Sequence, residues 1–368
     1  MRFRAAVLHR VGQPLTIEDV EMAALAAGDV LVRIGASGLC HTDLEVIEGQ
    51  LAYPLPIVLG HEGAGIVEAV GSGVTLVRPG DSVICSWNPN CGHCFYCDRD
   101  QPILCEPFTR NQPQGHLLDG GSRLTLRGEK LHHFSVVSSH AEYCVVPESG
   151  AVPVPKEIPA DVACLIGCGV MTGVGAACRF AKVAAGSIVA VLGCGAVGLN
   201  VVQGARIAGA DRIVAIEPST ERRAMALKLG ATDALDPGAG DAIALIKQIA
   251  LGCGADYVFE CAGSEATLSA ALEMVRPGGE VVFLGKVNVA SRVSFRWGAM
   301  MGEKRITRSS YGGARPRRDF PWLAKLYLEG VLDLQSLISE RIRLDQINAG
   351  FDKMRRGAVI RSVIEMAS

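Results

Sequence analysis

Four cysteines fall within fifteen residues: Cys91, Cys94 and Cys97 make two overlapping C-x-x-C steps, and Cys105 follows eight residues later. Four thiolates from one loop can close a tetrahedral shell around zinc, and a closed shell leaves no position for a substrate, so such a zinc would be structural. An iron–sulfur cluster is the competing reading of the same four ligands. A second feature is Gly193-Cys194-Gly195-Ala196-Val197-Gly198. In a G-x-G-x-x-G loop Gly193 allows a tight turn, Gly195 lets the backbone approach a pyrophosphate, and Gly198 permits close helix–strand packing. The phosphates would then sit on free N–H groups at the positive end of a helix. Glu217 stands nineteen residues past Gly198, where a carboxylate can accept hydrogen bonds from ribose hydroxyls. It would repel a 2′-phosphate, which favours NAD over NADP; Arg222 and Arg223, just beyond, soften that preference.

Three further segments carry metal-ligand types at long separations: Cys40-His41-Thr42-Asp43, Gly60-His61-Glu62 and Gly167-Cys168-Gly169. Their spacing does not by itself bring them together. Taken singly, Cys40 and Cys168 read equally well as buried thiols and His61 as a core histidine.

Two compositional regimes must position these residues. The first 165 residues or so read as short strands broken by Gly and Pro, at 30–34, 65–70, 82–85 and 141–146; residues 29–34 alternate with period two, as in a half-buried strand. From about 170 to 310, apolar runs alternate with helical stretches. Strands are expected at 187–192, 212–216, 257–260 and 280–284, and helices at 197–208, 221–229 and 241–251. That alternation is the pattern of a parallel sheet with helices on its faces. The tail reads as helices at 320–328 and 344–354 and a strand at 360–364.

Composition narrows the chemistry. Thirty-six Lys and Arg against thirty-eight Asp and Glu leave a net charge of −2, without the basic field of a nucleic-acid binder. No unbroken apolar run approaches the ~18–20 residues of a membrane span, and the first ten residues lack a signal peptide's apolar core. A cytoplasmic location is therefore expected. Thirteen cysteines in that reducing compartment point to metal ligands and buried thiols rather than to disulfides.

The chain resembles the zinc-dependent alcohol dehydrogenases of the medium-chain dehydrogenase/reductase family. Gly60-His61-Glu62-x-x-Gly65-x5-Gly71-x-x-Val74 matches the family's zinc signature, and Cys-His-Thr-Asp at 40–43, the four-cysteine lobe, Gly-Cys-Gly at 167–169, the glycine loop and Ile360-Arg361-Ser362 match in the family's order. The resemblance spans essentially the whole chain. It implies an α/β subunit: a GroES-like, β-rich catalytic domain over 1–168 and 313–368, and a Rossmann doubly wound parallel-sheet domain over 169–312, with the active site in the cleft.

The resemblance also implies two zinc ions per subunit and NAD as cofactor. Cys40, His61 and Cys168 would hold the catalytic zinc, and Cys91, Cys94, Cys97 and Cys105 the structural one. Asp43 would orient the His61 ring, and Glu62 would sit close behind the metal. Thr42 would take the substrate proton, His41 and Arg361 would face the pyrophosphate, Thr172 would hold the nicotinamide and Val197 would pack behind it. The reaction would be alcohol + NAD⁺ ⇌ carbonyl compound + NADH + H⁺, with zinc as the Lewis acid. A primary alcohol is the expected substrate, and Trp87 would suit an aromatic one. Glu45 stands where many members carry a relay histidine, so the outer proton route differs. Thr109, Gln50 and Leu51 fail to supply the charged residues of the glutathione-dependent formaldehyde branch, and Lys286 stands where many relatives place an apolar residue. The competing expectations are a formaldehyde dehydrogenase that uses another thiol adduct, and a non-catalytic NAD- and zinc-binding protein. The stretch 111–130 resembles the longer, dimeric type, so a homodimer is expected, with a homotetramer as the alternative. The basic run 315–318 reads as solvated surface, and no nucleic acid or membrane partner is expected.

Overall fold

The computed structural model describes residues 1–288 and 290–366. The chain divides into two compact units, Met1–Cys168 with Arg315–Ser368, and Gly169–Ala314.

In the first unit, five strands close a small barrel in the order Arg2–Leu8, Thr16–Met22, Leu124–Leu126, Glu129–His133, Ile57–Val58. A seven-stranded sheet stands beside it. Its path runs Ala151–Pro153, Ser82–Cys85, Glu62–Val70, Asp29–Gly38, Arg361–Glu365, Ile338–Ile342, and Tyr143–Pro147 also pairs with Asp29–Gly38. The C-terminal tail thus adds two strands to a sheet begun by the N-terminal half. Ile347, Phe351 and Ile364 from the tail pack in one apolar cluster with Leu39, Leu44, Leu59 and Phe134. Each such side chain, taken from water, contributes about 1.5–3 kcal/mol.

Residues 29–34 correct the sequence reading. Period two implies one wet face, but in Asp29–Gly38 only Arg33 is exposed. The strand is paired on both edges by the strands at 62–70, 143–147 and 361–365, and side chains from both of its faces lie in apolar cores, Leu31 in one and Val30, Val32 and Ile34 in another.

In the second unit, six parallel strands run in the order Asp233–Leu235, Arg212–Ile216, Ile188–Leu192, Ala255–Glu260, Val275–Phe283, Arg305–Arg308. The second-formed and fourth-formed strands flank the first, which is the doubly wound order with its switch point at Ile188–Leu192. Local signals agree with the sequence. Ser219 caps Thr220–Leu229 by accepting from the Arg222 N–H at 3.3 Å, with Gly230 left-handed at the far end. Asp241 caps Ala242–Ile249.

One stretch departs from expectation. Ala160–Phe180 is a helical run of 21 residues with mean hydropathy 1.7, long and apolar enough to cross a membrane by those measures alone. Its window is 78% buried inside the protein, the burial of a core helix. Unbroken apolar runs missed it because Gly167, Gly169, Gly173 and Gly175 interrupt the sequence without ending the helix. Two π-helical turns, Ile166–Val170 and Ala176–Phe180, interrupt its α-helical hydrogen bonding, and the first carries Cys168.

Candidate active site and metal centres

The four-cysteine lobe folds around its own sulfurs. Short 3₁₀ turns at Cys97–Arg99 and Pro102–Leu104 bring the chain back on itself. All four sulfurs lie within 4.8 Å of one another, and Cys91 Sγ is 4.0 Å from Cys97 Sγ. Zinc–thiolate bonds of about 2.3 Å in a tetrahedron place sulfurs about 3.8 Å apart, so the set fits one zinc ion. Backbone N–H groups already point at the sulfurs, Cys91 N to Cys105 Sγ at 3.3 Å and Glu106 N to Cys94 Sγ at 3.5 Å. The Glu106 N–H brings the Cys94 thiol down to about 6, while burial lifts Cys105 to about 12.

The second cluster is assembled from three distant segments. Cys40, just before the short helix His41–Ile47, His61, just before Glu62–Val70, and Cys168 in the π turn converge with Glu62, so that one ligand atom from each lies within 4.8 Å of the others. Asp43 ties the first two segments together. Its Oδ1 accepts the Gly60 N–H at 3.0 Å and faces His61 Nδ1 at 3.3 Å, while its Oδ2 accepts the Cys40 N–H at 3.1 Å. With Nδ1 turned to the carboxylate, Nε2 of His61 is the nitrogen left for a metal.

Charge in this pocket is strongly coupled. The Cys168 thiol beside Cys40 pulls the Cys40 pKa well below a free thiol's, with help from His61 and Arg361. Burial works against a charged His61, but Asp43 and Cys40 outweigh it and raise its pKa. Burial lifts Glu62 to about 8 even though Arg361 pulls the other way. Arg361 Nη2 lies 3.0 Å from Glu62 Oε1, and Nη1 donates to the Leu39 carbonyl at 2.9 Å. Glu62 Oε2 is buried without a hydrogen bond among the described residues. Two thiols, an imidazole nitrogen and a spare carboxylate oxygen form a donor set that fits zinc, whose binding would favour both thiolates and a neutral imidazole.

The remaining expected residues fall as follows. His41 is exposed and Thr42 half-buried at the start of its helix, with Thr42 Oγ1 3.9 Å from Cys40 Sγ. In the second unit, Thr172 lies half-buried in Met171–Gly175, and Val197 half-buried in Ala196–Ile207. A Cβ on Gly198 would lie 1.9 Å from the Gly193 carbonyl oxygen, so only glycine fits there; one on Gly195 would meet nothing within 4 Å. That open side of Gly195 is a cradle a pyrophosphate can fill. Glu217, 4% exposed, accepts the Cys194 N–H at 2.7 Å and the Ser219 N–H at 3.0 Å, which fixes the loop to the end of the neighbouring strand. Arg222 is half-buried. Arg223 is held by the Glu217 and Pro218 carbonyls and by Asp236. Of the basic run 315–318, Arg315 bonds to Asp100 and Arg318 pairs with Asp319, while Arg317 is exposed.

Sequence reasoning missed the surroundings of His61. The Phe134 ring packs edge-on against His61 with centroids 5.5 Å apart, and Tyr53 packs edge-on against Phe134 at 5.0 Å. The Tyr53 hydroxyl accepts a hydrogen bond from Gln112. Tyr53 and Phe134 come from separate loops and Gln112 from a 3₁₀ turn at Gln112–Gln114, and no local pattern links them.

A family model described as "Alcohol dehydrogenase GroES-like domain" matches residues 26–156, and one described as "Zinc-binding dehydrogenase" matches residues 196–329. The chain is 39% identical to an alcohol dehydrogenase class-3 of Myxine glutinosa over 99% of its own length and 97% of that protein's. The chain belongs to the zinc-dependent alcohol dehydrogenases. It is also 38% identical to an S-(hydroxymethyl)glutathione dehydrogenase of Escherichia coli O1:K1 / APEC, over 99% of this chain and all of that one. The crystal structure of benzyl alcohol dehydrogenase from Acinetobacter calcoaceticus superposes with a TM-score of 0.95 at 31% identity, covering both chains fully. As a member of this medium-chain dehydrogenase/reductase family the protein is an NAD-dependent oxidoreductase acting on CH–OH groups of small-molecule alcohols, with zinc as its metal. The GroES-like and Rossmann-like architecture expected from the sequence is the observed one.

Proposed function

We propose that this alcohol dehydrogenase interconverts a primary, aromatic alcohol and its aldehyde. The observation that carries this reading is the ring series Tyr53–Phe134–His61, which sets aromatic side chains directly against a residue of the Cys40, His61, Glu62, Cys168 cluster. Trp87, 6.2 Å from Phe108, adds to the aromatic surface of the same unit. The likeness to a benzyl alcohol dehydrogenase supports the same substrate class.

Cys40, His61 and Cys168 would hold the catalytic zinc, with Glu62 close by, and Cys91, Cys94, Cys97 and Cys105 would hold the structural one. Bound zinc supplies Lewis acidity toward the substrate oxygen, and NAD supplies the hydride acceptor. Thr42 would relay the alcohol proton, its hydroxyl oxygen taking that proton as its own hydroxyl proton passes on to the NAD ribose. Gly193, Gly195, Val197 and Gly198 shape the dinucleotide loop, Glu217 and Arg222 flank its adenosine end, Thr172 faces the nicotinamide, and His41 and Arg361 supply positive charge toward the phosphates. The catalytic role falls to the unit Met1–Cys168 with Arg315–Ser368 and NAD binding to Gly169–Ala314, two residues past the 312/313 boundary expected from the sequence. The subunit forms a homodimer in the cytoplasm, a setting consistent with thirteen unpaired cysteines.

A second reading, oxidation of a formaldehyde–thiol adduct, is favoured by the names of the curated relatives. Thr109, Gln50 and Leu51 argue against glutathione as that thiol. NADH formation at 340 nm across aromatic and aliphatic alcohols, each with and without added thiols, separates the two. Turnover of benzyl-type alcohols without thiol is expected; turnover only in the presence of formaldehyde and a thiol would replace this reading with the second.

A further inference from the structure

Beneath Asp43 lies a histidine that the mechanism does not use. His140 is wholly buried, and its backbone is fixed on both sides: its N–H donates to the Leu59 carbonyl at 3.0 Å and its carbonyl accepts from Ala6 N–H at 2.9 Å. Its ring packs edge-on against Phe351 with centroids 6.1 Å apart. Gly60, left-handed at φ +95°, has no room for a Cβ, which would meet the His140 N at 2.5 Å and Nδ1 at 2.7 Å. The residue preceding His61 is therefore in close contact with this ring.

The proton positions follow by elimination. Nε2 has no hydrogen-bond partner among the described residues and faces Asp43 Oδ1 at 3.8 Å. A carboxylate offers only acceptors, so Nε2 carries the proton and Nδ1 is the acceptor. Ser37 Oγ, 2.9 Å from Nδ1, is then the donor, and the Ser139 hydroxyl, 2.7 Å from Ser37 Oγ, donates to Ser37. Burial brings His140 down to about 4, so the ring is neutral at ordinary pH and acts as a fixed N–H dipole. At 3.8 Å this is an electrostatic contact rather than a hydrogen bond. A buried donor without a hydrogen-bond partner is costly, and here it faces the carboxylate that holds His61.

We propose that His140 is a positioning residue of the catalytic metal centre: the Ser139–Ser37–His140 series steadies Asp43, and through Asp43 fixes the tautomer and aim of His61. The inference rests on the reading of Cys40, His61 and Cys168 as a zinc site. Two zinc ions per subunit in the parent protein test that reading separately, and a count of one would remove it.

The experiment follows zinc release to a chromogenic chelator from the parent, His140→Phe, His140→Gln and Ser37→Ala, with the four-cysteine zinc as internal control. His140→Phe keeps a flat ring but loses the N–H and the Nδ1 acceptor, and should release one zinc about tenfold faster while the other is unchanged. His140→Gln restores a donor and should return release toward the parent rate. kcat should fall with His140→Phe while KM for NAD stays put. Equal release from parent and His140→Phe would overturn the proposal, as would equal losses in His140→Phe and His140→Gln. If His140→Phe does not fold, Ser37→Ala decides: release at the parent rate overturns the proposal and faster release of one zinc supports it.

Discussion

The two metal centres of this subunit are built in opposite ways. The four-cysteine lobe is local, made from one loop of half-buried residues, with only Cys105 fully buried. The Cys40–His61–Glu62–Cys168 cluster is non-local, with Cys40, His61 and Glu62 buried, and depends on a helix start, a strand start and a π turn meeting. A local centre needs its metal to hold the loop in shape. A non-local one is held in shape by the surrounding core and can leave a position open for substrate.

That contrast can be broken by substitution. The largest effect is expected from Cys40→Ser: one of two zinc ions lost and nearly all turnover with it, with the melting temperature little changed, as read by metal assay, NADH formation and thermal unfolding. Cys97→Ser should do the reverse. It should lose the lobe zinc, lower the Tm by about 5–10 °C, a few kcal/mol in a domain of this size, and expose residues 91–105 to protease. Next, Glu62→Gln should cost little stability below pH 8, where burial already keeps Glu62 largely protonated, and increasingly more above it, where Arg361 loses a charged partner, read as a pH-dependent shift in denaturant midpoint. Arg361→Met added to it should recover part of that loss. Glu217→Ala should narrow the preference for NAD over NADP about tenfold, since the carboxylate that repels a 2′-phosphate is gone.

The smallest effect concerns acid. Burial holds His133 at about 3 and His140 at about 4, below the 6.5 of an unfolded histidine. Between those values the unfolded chain binds more protons than the folded one, so this contribution to stability is complete above pH 6.5 and is lost as pH falls toward 4. Each residue adds up to about 1.4 kcal/mol per pH unit in that window. His133→Gln should flatten the fall in denaturant midpoint between pH 6.5 and 4.5 by about one histidine's share.

The same contrast governs what could be read from the sequence. The lobe was legible because its ligands are contiguous, and the glycine loop because strand, turn and helix are contiguous too. Cys40, His61 and Cys168 could be joined only by family resemblance, because nothing in their spacing encodes a meeting across 128 residues. Strands Arg2–Leu8 and Thr16–Met22 went unread because the exposed–buried alternation of residues 2–5 gives way to successive buried residues at 5–8, where the strand lies in the closed barrel. The Glu62–Arg361 pair and His140 left no local trace, since each is defined by a partner from another segment.

The most direct test of this account is anomalous X-ray diffraction at the zinc edge from crystals of the zinc-loaded protein. Two peaks per subunit are predicted, one inside the Cys91, Cys94, Cys97, Cys105 set and one against Cys40, His61 and Cys168. A single peak at the lobe, with the Cys40 cluster bare in an enzyme that still turns over, would contradict it.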